Sequence, residues 1–202
     1  MTAMSNTPTR DVTGNSRISA TTGMLLLVML VVEGVTVLDV RGMITLHVFL
    51  GIMLVGPVVL KIASTLYRFL RYYTSDADYV RKGPPHVVLR ILGPLVILSS
   101  LALLGTGIAL LWQSHNDLLL TAHQGSFIVW FAVMTVHVLG HLREALVETA
   151  RELRRLSPRQ SLRLAAVAVS LIAGVGLATA LLPSAAPWTH RPPETHAHHR
   201  HD

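Results

Sequence analysis

Cysteine is absent from the 202-residue chain, and charged residues are scarce, at 14% of the sequence. Without cysteine the chain has no disulfide framework, no thiolate metal site and no covalent attachment point for a c-type haem. It also lacks a Gly-rich phosphate loop, a dinucleotide-binding fingerprint and a nucleophile elbow, which mark many soluble enzymes. Any cofactor must therefore be held by side chains other than cysteine.

Apolar residues make up 51% of the sequence and are gathered into long runs. A hydrocarbon core about 30 Å thick needs about 20 apolar residues per helix, and five runs approach that length. We therefore predict an all-α membrane protein with five transmembrane helices. The predicted spans are roughly residues 20–38, 43–66, 88–112, 120–141 and 163–182. The predicted divisions are a cytoplasmic N-terminal segment (1–19), a transmembrane domain (20–182) and a flexible, His-rich extracytoplasmic tail (183–202).

The placement of lysine and arginine predicts the orientation of these spans. Basic residues are concentrated between spans two and three and between spans four and five, so both segments are expected to be cytoplasmic. They are Arg68, Arg71, Arg81, Lys82, Arg143, Arg151, Arg154, Arg155 and Arg159. The predicted location is thus the cell membrane, with the N-terminus inside and the C-terminus outside. The net charge of +6 then reflects topology and attraction to anionic lipid, and nucleic acid is not an expected partner.

Three histidines, His123, His137 and His141, lie along the fourth predicted span. Fourteen residues of α-helix correspond to a rise of about 21 Å and a rotation of only about 40°, so His123 and His137 share a face. His141 lies on that face as well. His47 is near the outer end of the second span, which runs in the same direction as the fourth. His47 and His123 are therefore expected at similar depth.

Two imidazoles at equal depth on two helices are what axial ligation of a haem iron requires. Ionisable side chains within a membrane are costly and usually functional. Gly51, one turn from His47, and Gly125 would leave room for a flat ring. Two other interpretations stay open: each histidine bonds a carbonyl on a neighbouring helix, or the pair binds a different metal ion.

The sequences HVFLG (47–51) and HQGSFIVWFAVMTVH (123–137) together resemble the b-type membrane cytochromes. That group includes ferric-reductase-like transmembrane domains and bacterial cytochrome b subunits. The resemblance covers roughly residues 43–141 and implies a four-helix haem-binding bundle plus one further span. It implies His47 and His123 as ligands of the outer haem b. It also implies electron exchange with partners such as quinol or a redox protein, as a subunit of an oxidoreductase rather than a self-contained enzyme.

The resemblance is incomplete at the inner end of the bundle. The family's second histidine on this helix would fall at position 61, where this chain has Lys61. A lysine must be neutral to ligate iron, and at this depth it can instead reach the lipid headgroups. His137 then has no obvious partner, although His86 begins the third span on the same side. We therefore expect one haem b rather than two, with His137 and His141 as relay or structural residues.

Glu33 is an acidic residue within the apolar first span. An ionised carboxylate exposed to lipid is costly, so we expect Glu33 to face the bundle or to be protonated. One interpretation is a proton acceptor at a quinol site near the outer haem. The other is a carboxyl that bonds a neighbouring helix or reaches outward.

The C-terminal tail concentrates four histidines within its last residues: His196, His198, His199 and His201. Such tracts bind Zn, Cu or Ni weakly, and they can equally have no role. Together with the histidines of the spans they support an alternative function for the chain. That alternative is a cofactor-free membrane protein that binds or transports metal ions.

Overall fold

The computed structural model describes residues 10–74, 87–153 and 158–189. Within these ranges the regular elements are all helices, and no strand is present. They are α1 (Arg10–Leu38), α2 (Ile44–Met53), α3 (Val55–Tyr73), α4 (Val87–Ala109), α5 (Asp117–Leu153) and α6 (Pro158–Leu181), then a 3-10 turn (Leu182–Ala185) and α7 (Ala186–Thr189). The predicted all-α fold is confirmed.

Five helical stretches in the described ranges are long and apolar enough to cross a membrane, as the sequence predicted. They are Thr21–Leu38, Ile44–Tyr73, Ile91–Ala109, Asp117–Gly140 and Leu164–Trp188. A helix satisfies its own backbone hydrogen bonds, which is the condition for crossing hydrocarbon. Many large apolar side chains point away from the protein interior; Leu118 is 80% exposed and Ile128 is 68% exposed. Such a surface suits lipid rather than water, and the chain is a multi-pass membrane protein.

The ends of the helices differ from the predicted boundaries at three places. α1 begins at Arg10, inside the predicted N-terminal segment. α5 continues past the predicted fourth span to Leu153, and α6 begins at Pro158, before the predicted fifth span. Proline is favoured at the first helical position because the N–H that it lacks would have no partner there.

Helical structure also continues to Thr189, past the predicted start of the flexible tail at residue 183. Two contacts hold this extension against the bundle. The side chain of Ala185 is fully buried, and the indole Nε1 of Trp188 donates to the carbonyl of Leu110 at 3.0 Å. A buried alanine and a hydrogen-bonded indole thus attach the first part of the predicted tail to the bundle.

α2 and α3 form one span that crosses α6 in direct backbone contact. Pro57 has no N–H, so the carbonyl of Met53, four residues earlier, loses its helical hydrogen bond. That carbonyl packs against Gly174 of α6, where an added Cβ would overlap it. Gly56 packs in the same way against the carbonyl of Ser170. Small residues permit this close approach, which fixes α2 and α3 relative to the rest of the bundle.

The remaining packing places α2 and α5 across from each other. α1 contacts both of them, and α4 also contacts both. On the α4 side, the Trp130 indole donates to Ser100 Oγ at 3.0 Å and ties α5 to α4. We call the end that holds loops 39–43 and 110–116 the outer end, following the predicted orientation, and the opposite end the inner end.

Candidate functional site

Glu33 of α1 and His47 of α2 are in direct side-chain contact at the outer end. Oε1 of Glu33 lies 2.8 Å from Nδ1 of His47, and the two side chains are 12% and 23% exposed. The loop between the helices is tight because Asp39 accepts hydrogen bonds from the backbone N–H groups of Gly42 and Met43, both at 3.0 Å. The chain therefore turns back at once and lays His47 beside the last turns of α1.

Thr36, one turn beyond Glu33 on α1, decides which ring nitrogen of His47 carries the proton. Its hydroxyl donates to the Glu33 carbonyl at 2.6 Å, and its oxygen lies 3.1 Å from Nδ1 of His47. A hydroxyl has a single proton, so Oγ1 can only accept from the imidazole. Nδ1 of His47 therefore donates, both to Thr36 and to the Glu33 carboxylate. In the neutral ring the lone pair is then on Nε2.

Thr106 of α4 makes the equivalent contact with His123 of α5. Its hydroxyl donates to the carbonyl of Ala102 at 2.7 Å, and its oxygen lies 3.1 Å from Nδ1 of His123. By the same reasoning Nδ1 of His123 is the donor and Nε2 carries the lone pair. In both predicted ligands, Nε2 is therefore the nitrogen that carries the lone pair.

Gly107 makes room for the ring of His123. A Cβ placed on Gly107 would lie 3.0 Å from Cε1 of His123, which is closer than almost all real contacts of this kind. A larger residue would therefore displace the ring. Gly105, on the same helix, has no neighbouring atom within 4 Å of such a Cβ, so it leaves the ring alone.

The structure brings the two predicted ligands to the same end of the bundle. Both rings are half-buried, and they are close enough that a positive charge on His47 acts on His123. They reach this position from helices on opposite sides of the group formed by α1, α2, α4 and α5. The result is a pair of imidazoles at one end of the bundle, each with its Nδ1 held by a side-chain oxygen.

The two predicted glycines differ in their surroundings. A Cβ on Gly51 would lie 3.6 Å from Oε1 of Glu33, so this glycine borders the Glu33–His47 contact. Gly125 is exposed and has no atom within 4 Å of an added Cβ. Gly51 therefore belongs to the outer site, whereas Gly125 contacts nothing in it.

At the inner end the structure places Lys61 against α1. Lys61 is half-buried, and its Nζ lies 3.4 Å from the position of a Cβ on Gly23. His137 is also half-buried, with Nδ1 shielded from solvent. His141 lies on α5, but its side chain falls outside the described part of the chain. His86 and the tail histidines His196, His198, His199 and His201 lie wholly outside it.

Sequence reasoning missed Thr36, Thr106 and Gly107, and it did not pair Glu33 with His47. Thr106 and Gly107 lie in a predicted span, and glycines are common in membrane helices, so this dipeptide does not stand out in the sequence. A signal was available, because the short link 110–116 must place the end of α4 beside the start of α5. A hydroxyl one or two turns before that link is then a candidate partner for His123.

The outer site has few potential metal ligands of its own. Among the described residues, no group of three or more His, Cys, Asp and Glu side chains is arranged to hold a metal ion on its own. No family model, curated protein or solved structure matches the chain.

Proposed function

We propose that this protein is an integral membrane b-type cytochrome that binds one haem b between His47 and His123. The observation that supports this proposal is that the same nitrogen, Nδ1, donates a hydrogen bond in both rings. Each donates Nδ1–H to a fixed acceptor, which leaves the Nε2 lone pair available. Histidines that ligate metals nearly always donate their other N–H in this way, and that contact fixes the ring's tautomer and orientation.

The residues at the outer end fit a haem better than a bare metal ion. His47 and His123 would be the two protein ligands of the iron, and the porphyrin would supply its other ligands. A protein-only site would need at least one more ligand, and the described residues offer no three-ligand group. The alternative of metal binding or transport consequently has no support from this part of the chain.

The surrounding residues hold the ligands rather than react. Glu33 and Thr36 keep Nδ1 of His47 protonated, and Thr106 does the same for His123. Gly107 gives the His123 ring its space. A bound haem would supply one-electron redox chemistry, so we propose electron transfer between a membrane donor such as quinol and a redox partner.

Glu33 is the residue that we expect to contact a quinol donor. Its Oε2 is buried and has no hydrogen-bond partner among the described residues, while Oε1 contacts His47. A quinol hydroxyl could donate to Oε2, which would bring the donor next to a haem ligand. Glu33→Gln should then slow quinol-dependent reduction while dithionite still reduces the protein fully. Equal quinol rates in both proteins would remove Glu33 and quinol from the proposal.

The remaining topology follows the basic segments of the sequence. We propose that the protein lies in the cell membrane with its N-terminus in the cytoplasm and its C-terminus outside, which puts the haem near the outer surface. A cysteine-free chain is convenient here, because single cysteines can be introduced at 115 and 71. Labelling by a membrane-impermeant thiol reagent in intact cells should reach the first position and not the second.

The test of the cofactor is an optical spectrum of protein purified from cells supplied with haem. We expect the bands of a low-spin, bis-imidazole b haem, which sharpen on reduction with dithionite. A pyridine haemochrome assay should give one haem per polypeptide. Colourless protein under these conditions would refute the proposal, and a ratio near two would refute the single-haem version.

A further inference from the structure

A second polar site lies at the inner end, between α1 and α3. Thr22 of α1 is fully buried, and its Oγ1 has no hydrogen-bond partner among the described residues. Other hydroxyls in the bundle, such as those of Thr36, Thr106 and Ser170, donate to a carbonyl of their own helix. A buried hydroxyl without a partner is destabilising, so Thr22 points to a partner from outside the chain.

The packing of α1 against α3 places Lys61 at the level of Thr22. Leu26 of α1 shares an apolar cluster with Val58 of α3. The two helices run antiparallel, so one turn inward from Leu26 is Thr22, and one turn inward from Val58 is Lys61. The contact between Lys61 Nζ and the Cβ position of Gly23 agrees with this register, and it is the closest neighbour there at 3.4 Å. Gly23 therefore leaves space beside the ammonium group.

Arg68 adds a second positive charge on the same face of α3. Seven residues correspond to about two helical turns, and the charge of Arg68 acts on Lys61. Arg68 is exposed beside Tyr67, whose type is enriched at the level of lipid headgroups. Ammonium and guanidinium groups only donate hydrogen bonds, and the Thr22 hydroxyl has a proton to give. A matching ligand accepts several hydrogen bonds and is negatively charged.

We propose that Thr22, Lys61 and Arg68 form an anion site that binds the phosphate of an anionic lipid headgroup. Phosphate offers several acceptor oxygens and no donor at neutral pH, and its charge complements the two cations. A neutral quinone could accept hydrogen bonds from the same donors but would not complement the two positive charges. The site is independent of the haem, because it lies at the opposite end of the bundle and uses none of the residues assigned to it.

The test measures binding of phosphatidylglycerol to purified full-length protein in detergent, by native mass spectrometry across a lipid titration. Lys61→Met should weaken binding about tenfold or more, because it removes the central charge. Thr22→Val, which keeps the shape and removes the hydroxyl, should weaken it about three- to tenfold. Lys61→Arg should retain most of the affinity, which separates loss of the charge from damage to the fold.

Each matched control shares either the helix or the residue type of a site residue. Arg71→Gln removes a nearby charge that is engaged with the Tyr67 ring, and Thr121→Val removes an exposed hydroxyl at the outer end. Both should change affinity by less than about twofold. The haem spectrum should be the same in all five variants, so a failed cytochrome proposal would not be mistaken for a failed anion site.

Three outcomes would overturn the proposal. They are wild-type affinity in Lys61→Met, wild-type affinity in Thr22→Val, and equally tight binding of zwitterionic phosphatidylcholine. A competition arm with inorganic phosphate identifies the source of the phosphate. Displacement of the lipid by free phosphate shows that the group alone is recognised, whereas no displacement shows that the site needs the lipid that carries it.

Discussion

The outer and inner ends of this bundle are formed by the same helices but carry different polar side chains. Fourteen residues separate His47 from Lys61, and fourteen separate His123 from His137. At the outer end the two imidazoles have their Nδ1 protons assigned by Glu33, Thr36 and Thr106. At the inner end one imidazole is replaced by a lysine that lies against Gly23.

The difference originates largely in α1, which contacts both α3 and α5 as well as α2. The side of α1 that faces the bundle carries Glu33 and Thr36 at the outer end, where both accept a hydrogen bond from His47. The same side carries Thr22 at the inner end, where a hydroxyl is left to donate. One helix thus orients the His47 ring at one end and provides a hydroxyl donor suited to an anion at the other.

The largest expected effect comes from removing either outer ligand. His47→Ala or His123→Ala should abolish the low-spin bis-imidazole spectrum, because a haem with one axial histidine is five-coordinate or is lost. Insertion should survive, since each span satisfies its own backbone hydrogen bonds. Optical spectra and membrane yield, measured side by side, test both statements.

His115→Ala is the matched control for these two variants. His115 lies at the same end of the bundle, is exposed, and contacts only Ser114 through its Nδ1 in the described structure. Its spectrum should equal that of the unmodified protein. A normal spectrum in His47→Ala alone would show that His123 pairs with a residue on a different helix.

Restoring a histidine at the inner end is the second test of the comparison. Lys61→His gives α3 the imidazole that the resemblance implies, at the depth of His137. If the lysine is what limits the protein to one haem, the haem content per polypeptide should rise from one towards two. Lys61→Leu, which has no atom that can ligate iron, should stay at one. No rise in Lys61→His would mean that the space or the ring orientation at this end, and not the ligand alone, excludes a haem.

The sequence predicted the spans and the depth match of His47 with His123, because apolar run length and helical rise are local properties. It did not predict that Glu33 faces His47 or that Thr106 faces His123. Those contacts depend on how each helix is rotated about its axis. Spans that are apolar on nearly all faces carry little amphipathic pattern from which to read that rotation. The ordered stretch up to Trp188 was missed for a related reason, since its partner, the Leu110 carbonyl, is distant in sequence.

Two glycines on α4 provide the third test, with an effect expected to be intermediate. Gly107→Ala puts a Cβ 3.0 Å from Cε1 of His123, so the ring must shift. Overpacking of this kind typically costs about 1–3 kcal/mol, which we expect as weaker haem retention in a competition with apomyoglobin. Gly105→Ala adds the same methyl group where no atom lies within 4 Å. It should retain haem normally and gain slightly in thermal stability through helix propensity. Equal haem loss in the two variants would contradict the placement of the His123 ring.

The smallest effect, and the sharpest comparison of the two ligands, is expected from the threonines. Thr106→Val removes the side-chain acceptor of the His123 ring and keeps the shape of the residue. Thr36→Val removes the longer of two contacts to His47 and leaves Glu33 at 2.8 Å. A neutral hydrogen bond contributes about 1 kcal/mol net, so Thr106→Val should weaken haem binding by up to about tenfold. Thr36→Val should change it less, because a carboxylate acceptor remains and is the stronger of the two. In the double variant Glu33→Gln, Thr36→Val, His47 loses both of its strongest acceptors. Haem should then dissociate from it at least as fast as from Thr106→Val. Measuring haem dissociation rates for the four proteins orders these contributions. A Thr36→Val protein that loses haem faster than Thr106→Val would show that the hydroxyl, rather than Glu33, fixes the tautomer of His47.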